Sequence, residues 1–341
     1  MINATELLNT LLAKKALSAK EARAFLDAVI AGEMTPAQIG AILVALRMKG
    51  EEGSEILGLL ESMRAHMVKV HAPEAIDIVG TGGDGSGTFN ISTAAAFVAA
   101  GAHANVAKHG NRAASSACGS ADVLEALGVN IQLSPEQAQA VYEAAGIVFL
   151  FAPLFHTALK NVVAVRKELK VRTIFNVLGP FANPAGTKRQ LVGVPNLSIA
   201  KALSAVVPKL GYEHILIVTS EDGMDEISIS AKTHAVEYAG GKTKRFTIDP
   251  QKFGFKKAKK SDLFGGDAKQ NATIIRDVLS GVTGPKRDVV VLNTAYALVV
   301  AGIARTPQEG VRSAEHSIDT GSAKSALERL IKESNSCTAR S

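Results

Sequence analysis

Glycine, hydroxyl and amide side chains are concentrated in residues 76–97, which read IDIVGTGGDGSGTFNISTAAAF. The glycines of this segment are Gly80, Gly82, Gly83, Gly85 and Gly87. Because glycine has no Cβ, the backbone N–H groups of such a loop can approach an anion closely. Asn90, Ser92 and Thr93 follow at the start of an Ala-rich helix, whose free N–H groups and positive dipole end favour phosphate. The segment therefore predicts a phosphate-binding junction between a strand and a helix.

A tight structural turn before a well-capped helix is the alternative interpretation of this segment. Glycines alone do not separate the two interpretations, but the adjacent Asn, Ser and Thr favour phosphate. No Gly-Lys-Ser or Gly-Lys-Thr follows the loop, and the glycine spacing differs from G-x-G-x-x-G. The pattern therefore disfavours both an ATP-binding Walker loop and a dinucleotide-binding Rossmann loop.

A second junction of the same kind lies in residues 105–128, which read NVAKHGNRAASSACGSADVLEALG. Lys108 and Arg112 add positive charge after the predicted strand, and Ser120 and Asp122 suit the first turn of the following helix. Solvated charges and ordinary helix caps would explain any one of these residues. Two anion-friendly junctions within about fifty residues instead suggest a ligand with two phosphorylated ends.

The N-terminal part of the chain is helical in pattern. Capping-box spacing occurs from Ser18 to Glu21 and from Thr35 to Gln38, and Gly50 is a plausible helix stop. These signals predict an all-α unit before the two junctions.

From Ala75 onward the pattern changes, because short β-branched runs alternate with Ala-rich helical stretches. This alternation is typical of α/β winding around a parallel sheet. We therefore predict an α/β fold with a mostly parallel central sheet. The predicted domains are a small all-α domain of residues 1–70, joined by a helical segment near 165–185, and a large α/β domain of residues 71–341.

The elements expected in the α/β domain follow from these patterns. The predicted strands are residues 76–79, 105–108, 147–151, 214–219 and 289–292. The predicted helices are residues 93–102, 121–127, 135–145, 198–207 and 271–279.

Bulk composition narrows the functional classes. The chain has 341 residues and two cysteines far apart, Cys118 and Cys337, which fits a reducing compartment better than a disulfide-stapled secreted fold. The N-terminus does not resemble a secretory signal peptide, and the longest apolar stretch, 289–304, is too short for a membrane span. We expect a cytoplasmic protein with no membrane partner.

An excess of positive charge favours anionic partners. The formal net charge is +6 and the sequence pI is about 9.2. Much of the excess lies between Lys242 and Lys260, where a solvated surface and a nucleic-acid patch are the two interpretations. We favour the solvated surface and expect no nucleic-acid partner, because no aromatic-rich recognition motif accompanies the charges.

Several motifs together resemble the anthranilate phosphoribosyltransferase family. They are the strings GTGGDGSGTFNIST and KHGNRAASSACGSADVLEALG, then FAPLFH at 151–156, VRKELKVRTIFNVLGPFANP at 165–184 and GMDE at 223–226. They cover most of the span from 76 to 226, and the helical N-terminus also suits the family. The resemblance implies a nucleoside phosphorylase/phosphoribosyltransferase-like fold.

The resemblance implies a site for phosphoribosyl pyrophosphate (PRPP) with Mg²⁺ as cofactor. The matching PRPP-binding positions are Gly80, Thr81, Gly82, Gly83, Asp84, Thr88, Asn90, Ser92, Thr93, Lys108 and Ser120. The implied metal ligands are Ser92, Asp225 and Glu226, and hard oxygen ligands suit Mg²⁺. Glu221 and Asp222 precede this pair, which leaves open which carboxylates bind the metal.

The resemblance also implies a site for anthranilate. The matching positions are Gly80, His109, Asn111, Pro153, Arg166 and Gly179. Arg166 suits the carboxylate of the substrate, because a guanidinium can bind two oxygens at once. Arg166 as a surface helix charge, Pro153 as a loop stiffener and His109 as a structural residue are the alternatives. The resemblance further suggests a homodimer through the N-terminal helices.

The implied reaction is transfer of the phosphoribosyl group of PRPP to the amine of anthranilate, with release of pyrophosphate, in tryptophan biosynthesis. The expected catalysis is electrostatic, through Lys108, Asp225, Glu226 and Mg²⁺, without a protein acid or base. A pyrimidine nucleoside phosphorylase is one alternative, although its phosphate loop would differ from GTGGDG followed by FNIST. A non-catalytic nucleic-acid-binding relative is the other, and the intact Lys108, Asp225 and Glu226 argue against it.

Overall fold

The computed structural model describes residues 3–113 and 117–337. Its helices are α1 Ala4–Leu12, α2 Ala19–Ala31, α3 Pro36–Lys49, α4 Gly53–His66, α5 Ile91–Gly101, α6 Ser120–Leu127, α7 Pro135–Ala145, α8 Ala152–Phe155, α9 Lys160–Leu169, α10 Phe175–Leu178, α11 Leu197–Val206, α12 Ala268–Leu279, α13 Pro285–Ala301, α14 Pro307–Asp319 and α15 Ser322–Ser336. Its strands are β1 Ile76–Gly80, β2 Val106–Gly110, β3 Ile147–Phe151, β4 Arg189–Gly193, β5 His214–Ser220, β6 Thr233–Ala239 and β7 Lys242–Ile248.

The N-terminal helices start where the sequence predicts. Ser18 and Glu21 form a capping box at the start of α2, and Thr35 and Gln38 form one at the start of α3. α2 packs against α4 and α1 packs against α3, while α9 from later in the chain packs on α2 and α3. These helices share one apolar core with one face of the sheet.

The strands form one sheet in the order β3-β2-β1-β4-β5-β6-β7. β1 to β5 pair in parallel, and β6 and β7 are antiparallel additions at one edge. A second core, which includes α5, α13 and α15, covers the other face. The predicted fold class is confirmed: a small helical bundle precedes a large α/β unit with a mostly parallel sheet.

The basic stretch predicted as a solvated surface includes β7, whose first residues are exposed at the edge of the sheet. Charged side chains on an edge strand also discourage pairing with another sheet. Within the described part of the chain, none of the helices is both long and apolar enough to cross a bilayer.

The predicted strand at 289–292 is wrong, because these residues lie inside α13. Val289 to Leu292 form a short apolar run, and such a run does not distinguish a buried strand from a buried helix. Pro285 at the first helical position and Asp288 in the first turn were the signals for a helix. The sequence patterns also missed β4, β6 and β7.

Candidate active site

Two neighbouring residues of β2 point to opposite faces of the sheet. β1 and β2 pair in parallel, so Lys108 shares a face with Ile78 in the core that contains α5. His109 shares the other face with Val79, which packs in the core of the helical layer. The carboxyl end of β2 therefore presents a cation on one side and an imidazole on the other. We call these the lysine face and the histidine face.

Asp225 and Glu226 form an acidic pair, and glycines allow Asp225 to lie against the ends of β1 and β4. A Cβ at Gly80 would lie 2.5 Å from Asp225 Oδ2, and a Cβ at Gly193 would overlap the Asp225 carbonyl oxygen. Gly82 has φ +70°, and its N–H donates to Asp225 Oδ2 at 2.6 Å. Since L side chains rarely adopt this backbone conformation, glycine is required at this turn.

The two carboxylates of the acidic pair accept hydrogen bonds from the two halves of the first junction. Asp225 bonds to the glycine loop, and Glu226 Oε1 accepts from the N–H of Ser92 at 3.1 Å, at the start of α5. Burial raises the pKa of Asp225, and the Asp84 carboxyl raises it further. Burial also raises the pKa of Glu226, followed by the charge of Asp225. The pair therefore concentrates negative charge that the protein only partly neutralises.

Lys108 supplies the positive charge of the lysine face. It is 4% exposed, and its Nζ donates to Ile78 O and, at 3.3 Å, to Ser92 Oγ. Burial lowers the pKa of Lys108, while Asp77, Glu226 and Asp225 act in the opposite direction. The buried ammonium is thus aimed at the start of α5, where an anion would be stabilised.

The other predicted PRPP-binding residues lie in the glycine loop and at the starts of α5 and α6. Thr81 Oγ1 and Asn90 Oδ1 are buried, and neither has a hydrogen-bond partner among the described residues. Thr88 Oγ1 lies 3.1 Å from Ser86 Oγ, and Ser120 Oγ donates to Asn111 O at 3.3 Å. Buried polar atoms without a partner are uncommon, so the Thr81 and Asn90 oxygens suit contacts to a polar ligand. Thr93 is buried in the first turn of α5.

Arg112, which was expected to add positive charge for phosphate, is paired with acidic side chains. Its guanidinium pairs with Asp122 at 3.0 Å and with Glu125, both on α6. These acids neutralise its charge locally. Residues 114–116 of the second motif lie outside the described residues.

The histidine face combines two buried imidazoles. The rings of His109 and His156 lie 5.2 Å apart, and His109 Nδ1 lies 3.2 Å from Gly179 O. Both Nε2 atoms are buried without a hydrogen-bond partner among the described residues. Burial lowers the pKa of His109 to about 3 and that of His156 to about 4. Both rings are therefore neutral at pH 7 and suit a planar, uncharged part of a ligand.

Arg166 lies at the end of α9 and lacks a carboxylate partner among the described residues. Its Nη2 donates to Asn176 Oδ1 at 3.3 Å, and the guanidinium lies 5.9 Å from the centre of the Phe175 ring. Burial lowers its pKa. A half-buried cation with no acidic partner suits an incoming carboxylate. Asn111 and Pro153 follow the ends of β2 and β3 and are exposed.

The residues present fit a divalent metal shared with a ligand. Asp225 and Glu226 provide hard oxygen donors with raised pKa values, and Ser92 provides a hydroxyl beside them. Among the described residues, no three His, Cys, Asp or Glu side chains are grouped to hold a metal ion. Mg²⁺ commonly takes one or two carboxylates from a protein and completes its shell with water and phosphate oxygens. The donor set matches that pattern.

Three residues near the site were not assigned from the sequence. Asp77 is fully buried in β1, His156 lies against His109, and Arg172 donates to Gly83 O and, at 3.1 Å, to Gly82 O. Asp77 had a signal, because it is a charged residue inside an apolar strand. The contacts of His156 and Arg172 depend on tertiary structure, which local patterns do not predict.

Known proteins match both the chain and the fold. Family models described as the helical bundle domain and the a/b domain of a glycosyl transferase family match residues 5–67 and 72–324. An anthranilate phosphoribosyltransferase of Thermomicrobium roseum is 50% identical over 334 residues, which cover 96% of each chain.

Solved structures agree with this match. The crystal structure of anthranilate phosphoribosyltransferase from Thermus thermophilus has a TM-score of 0.89 and 38% identity, and the match covers 96% of this chain and 99% of that one. The Saccharomyces cerevisiae enzyme in complex with PRPP and Mg has a TM-score of 0.89 and 29% identity, and the match covers 98% of each chain. The resemblance seen in the sequence motifs is confirmed: the chain belongs to the anthranilate phosphoribosyltransferase family of glycosyl transferases.

Proposed function

We propose that this protein transfers the phosphoribosyl group of PRPP to the amine of anthranilate and releases pyrophosphate, a step of tryptophan biosynthesis. The observation that carries the proposal is the division of β2 between Lys108, aimed at the start of α5, and His109, beside the ring of His156. One strand end thus serves a highly charged ligand and a flat aromatic ligand with a single charge. The names of the relatives support the same pair of substrates.

PRPP binds on the lysine face in this proposal. The glycine loop from Gly80 to Asp84 and the first turn of α5 supply backbone N–H groups, and Lys108 supplies charge. The partnerless oxygens of Thr81 and Asn90 support contacts to its hydroxyl or phosphate groups. Thr88, Ser92, Thr93 and Ser120 complete the proposed site.

Anthranilate binds on the histidine face in this proposal. Arg166 pairs with the carboxylate, and His109 and His156 border the ring. Gly80, Asn111, Pro153 and Gly179 are the other proposed contacts. The neutral imidazoles permit burial of an aromatic ring without the cost of desolvating a second cation.

The chain's own residues act electrostatically on the reaction. As the bond between the ribose carbon and pyrophosphate breaks, Lys108 and the N–H groups of the glycine loop stabilise the negative charge on the leaving oxygens. Arg166 and the histidine face hold the amine in line for attack on the ribose carbon. No side chain of the histidine face is a strong base, because burial holds the imidazoles far below their usual pKa.

Asp225, Glu226 and Ser92 would hold Mg²⁺ beside the pyrophosphate, and Mg²⁺ neutralises charge on the leaving group when it is bound. The solved relative with PRPP and Mg supports this cofactor. The backbone N–H groups of Gly82 and Ser92 donate hydrogen bonds to Asp225 and Glu226, and these bonds hold the two carboxylates in position.

A fluorescence assay tests the function directly. Purified protein is mixed with PRPP, anthranilate and Mg²⁺, and the loss of anthranilate fluorescence is followed. We expect turnover that stops when any component is omitted or when EDTA is added. Stable fluorescence in the complete mixture, together with phosphorolysis of a pyrimidine nucleoside, would favour the phosphorylase alternative.

Three further proposals concern the whole molecule. We propose a helical domain of residues 1–70 joined by the segment near 165–185, a cytoplasmic location, and a homodimer through the N-terminal helices. The dimer is supported by large apolar side chains exposed on this layer, Leu12 at 67%, Met48 at 82% and Val163 at 43%. Light scattering of the wild type and of Met48→Glu tests it, and a monomeric wild type would reject it.

A further inference from the structure

Asp77 is a buried carboxylate for which the mechanism above has no use. It is 0% exposed and is the second residue of β1, the strand that leads into the glycine loop. Burial raises its pKa to about 6, with the charge of Lys108 acting against this rise. A buried charge is poor evidence for stability, because replacing it with apolar groups is often neutral or stabilising. Stability alone therefore does not explain a carboxylate at position 77.

The carboxylate gathers donors from three parts of the chain. Asp77 Oδ1 accepts from the backbone N–H of His109 at 3.3 Å. Asp77 Oδ2 accepts from Asn183 Nδ2 at 2.8 Å and from Gln190 Nε2 at 3.4 Å. An amide at this position would present an NH₂ group to at least one of these donors. Only a carboxylate accepts from all of them.

The same donors hold the segment that faces the His109 ring. Gln190 Nε2 also donates to Pro180 O at 2.6 Å, and Asn183 Nδ2 also donates to Ala107 O at 2.8 Å. Pro180 directly follows Gly179, whose carbonyl oxygen lies 3.2 Å from His109 Nδ1. Asp77 therefore fixes both sides of this contact.

The network continues into the helical layer. Tyr212 OH donates to Gln190 Oε1 at 2.9 Å. Arg64 on α4 donates to Tyr212 OH at 3.2 Å and to Phe181 O at 2.8 Å. This chain of bonds ends away from the lysine face, because the bonds of Lys108 go to Ile78 O and Ser92 Oγ.

We propose that Asp77 is a positioning residue for the aromatic substrate: it holds the His109 backbone and the 179–183 segment in the geometry that forms the histidine face. The proposal rests on the function proposed above, because that function places anthranilate on this face. Asp77 does not contact substrate. It acts on the histidine face through His109, Asn183 and Gln190, while its negative charge also favours the protonated form of Lys108.

Steady-state kinetics of Asn183→Ala separate the two faces, because this variant keeps the Asp77 charge that acts on Lys108. We expect KM for anthranilate to rise about tenfold, while KM for PRPP changes less than about threefold. Asp77→Asn should give the same rise in KM for anthranilate, and Asn183→Ala keeps the test decisive if Asp77→Asn does not fold. Tyr212→Phe is the matched control, since it removes a buried bond of the same network one step further out. It should lower thermal stability without changing either KM.

Three results would overturn the inference. They are equal rises in both KM values in Asn183→Ala, a fall in its kcat alone, or the same split in Tyr212→Phe. Wild-type turnover is a separate measurement and tests the proposed function. If the wild type does not turn over, that function fails, and calorimetric titration of anthranilate into the wild type and Asn183→Ala still decides whether the network shapes its site.

Discussion

The lysine face and the histidine face of β2 treat charge in opposite ways. On the lysine face, the carboxylates of Asp225 and Glu226 bond to backbone N–H groups, and Lys108 bonds to protein oxygens. On the histidine face, two imidazoles are neutral and have partnerless Nε2 atoms among the described residues. The lysine face thus pairs its charged side chains within the protein, whereas the two imidazoles of the histidine face are uncharged.

This difference has a physical reason. In the proposed function, pyrophosphate and a divalent metal would bring several charges to the lysine face, so this face has to stay folded with and without them. Paired carboxylates and a buried lysine would achieve this, although their desolvation costs stability. An aromatic acid would bring one charge to the histidine face, and one guanidinium, that of Arg166, would be sufficient for it. Substitutions on one face should therefore leave binding on the other face nearly unchanged.

The largest expected effect follows from removing the acidic pair. Asp225→Asn combined with Glu226→Gln should lower kcat/KM about a thousandfold or more and abolish the response to Mg²⁺, because the metal loses its protein ligands. Calorimetry should show the loss of Mg²⁺-dependent PRPP binding. Glu221→Gln is the control, because Glu221 is exposed and pairs with His234 at 3.4 Å. A double variant with an unchanged Mg²⁺ response would reject the metal assignment.

Arg166→Ala is the corresponding test of the histidine face. We expect KM for anthranilate to rise about tenfold to a hundredfold with KM for PRPP unchanged, since a charge-assisted bidentate contact is lost. Arg166→Lys should recover only part of the loss, because an ammonium cannot form the planar fork. Lys167→Ala, at the exposed neighbouring position of α9, is the control. A rise in KM for PRPP in Arg166→Ala would show that the faces are not independent.

The two faces also differ in how far the sequence predicts them. The glycine loop and helix start of the lysine face are local patterns, so a phosphate-binding junction could be predicted from them, whereas Asp225 and Glu226 were named only through the family resemblance. The histidine face depends on strand register and on segments far apart in the chain. His156 and Asp77 contact their partners only after β1, β2 and the 179–183 segment come together, and no local pattern encodes those pairings.

The same limit applies to the fold. Helix starts at Ser18 and Thr35 were predicted because a capping box is a local feature. Val289 to Leu292 were misassigned because a short apolar run does not distinguish a buried strand from a buried helix, and the helix-start signals at Pro285 and Asp288 were not used. β7 was missed because its first residues are polar and exposed, and β6 was missed because its buried residues, Thr233 and Ala235, are not strongly apolar.

Gly193→Ala perturbs the lysine face without changing a charge. The new Cβ would overlap the Asp225 carbonyl oxygen, so the acidic segment must move. We expect a loss of about 1–3 kcal/mol in the free energy of unfolding and a several-fold weaker Mg²⁺ response, with KM for anthranilate unchanged. Gly40→Ala in α3 is the matched control, because its Cβ would lie 3.6 Å from Val165 Cγ1 and alanine favours helix. Equal stability of both variants would contradict the close approach seen at Gly193.

The smallest effect concerns the pH dependence of stability. Burial lowers the pKa of His156 from its ordinary value of 6.5 to about 4, so below pH 6.5 the unfolded chain binds a proton that the folded chain does not. The contribution of neutral His156 is therefore complete above pH 6.5 and falls by about 1 kcal/mol for each pH unit from there toward pH 4. Asp77 opposes this trend in the same range, because its raised pKa, about 6, makes the folded chain bind the extra proton.

Comparing variants isolates the histidine from Asp77. The difference in unfolding free energy between the wild type and His156→Gln, measured by urea denaturation, should shift with pH between 6.5 and 4, because only the wild type has to exclude the proton. Leu159→Ala removes a buried, non-titrating neighbour and should show a difference that is constant with pH. A constant difference for His156→Gln as well would mean that its ring takes up a proton in the folded state. The histidine face would then carry charge as the lysine face does, and the contrast between them would be lost.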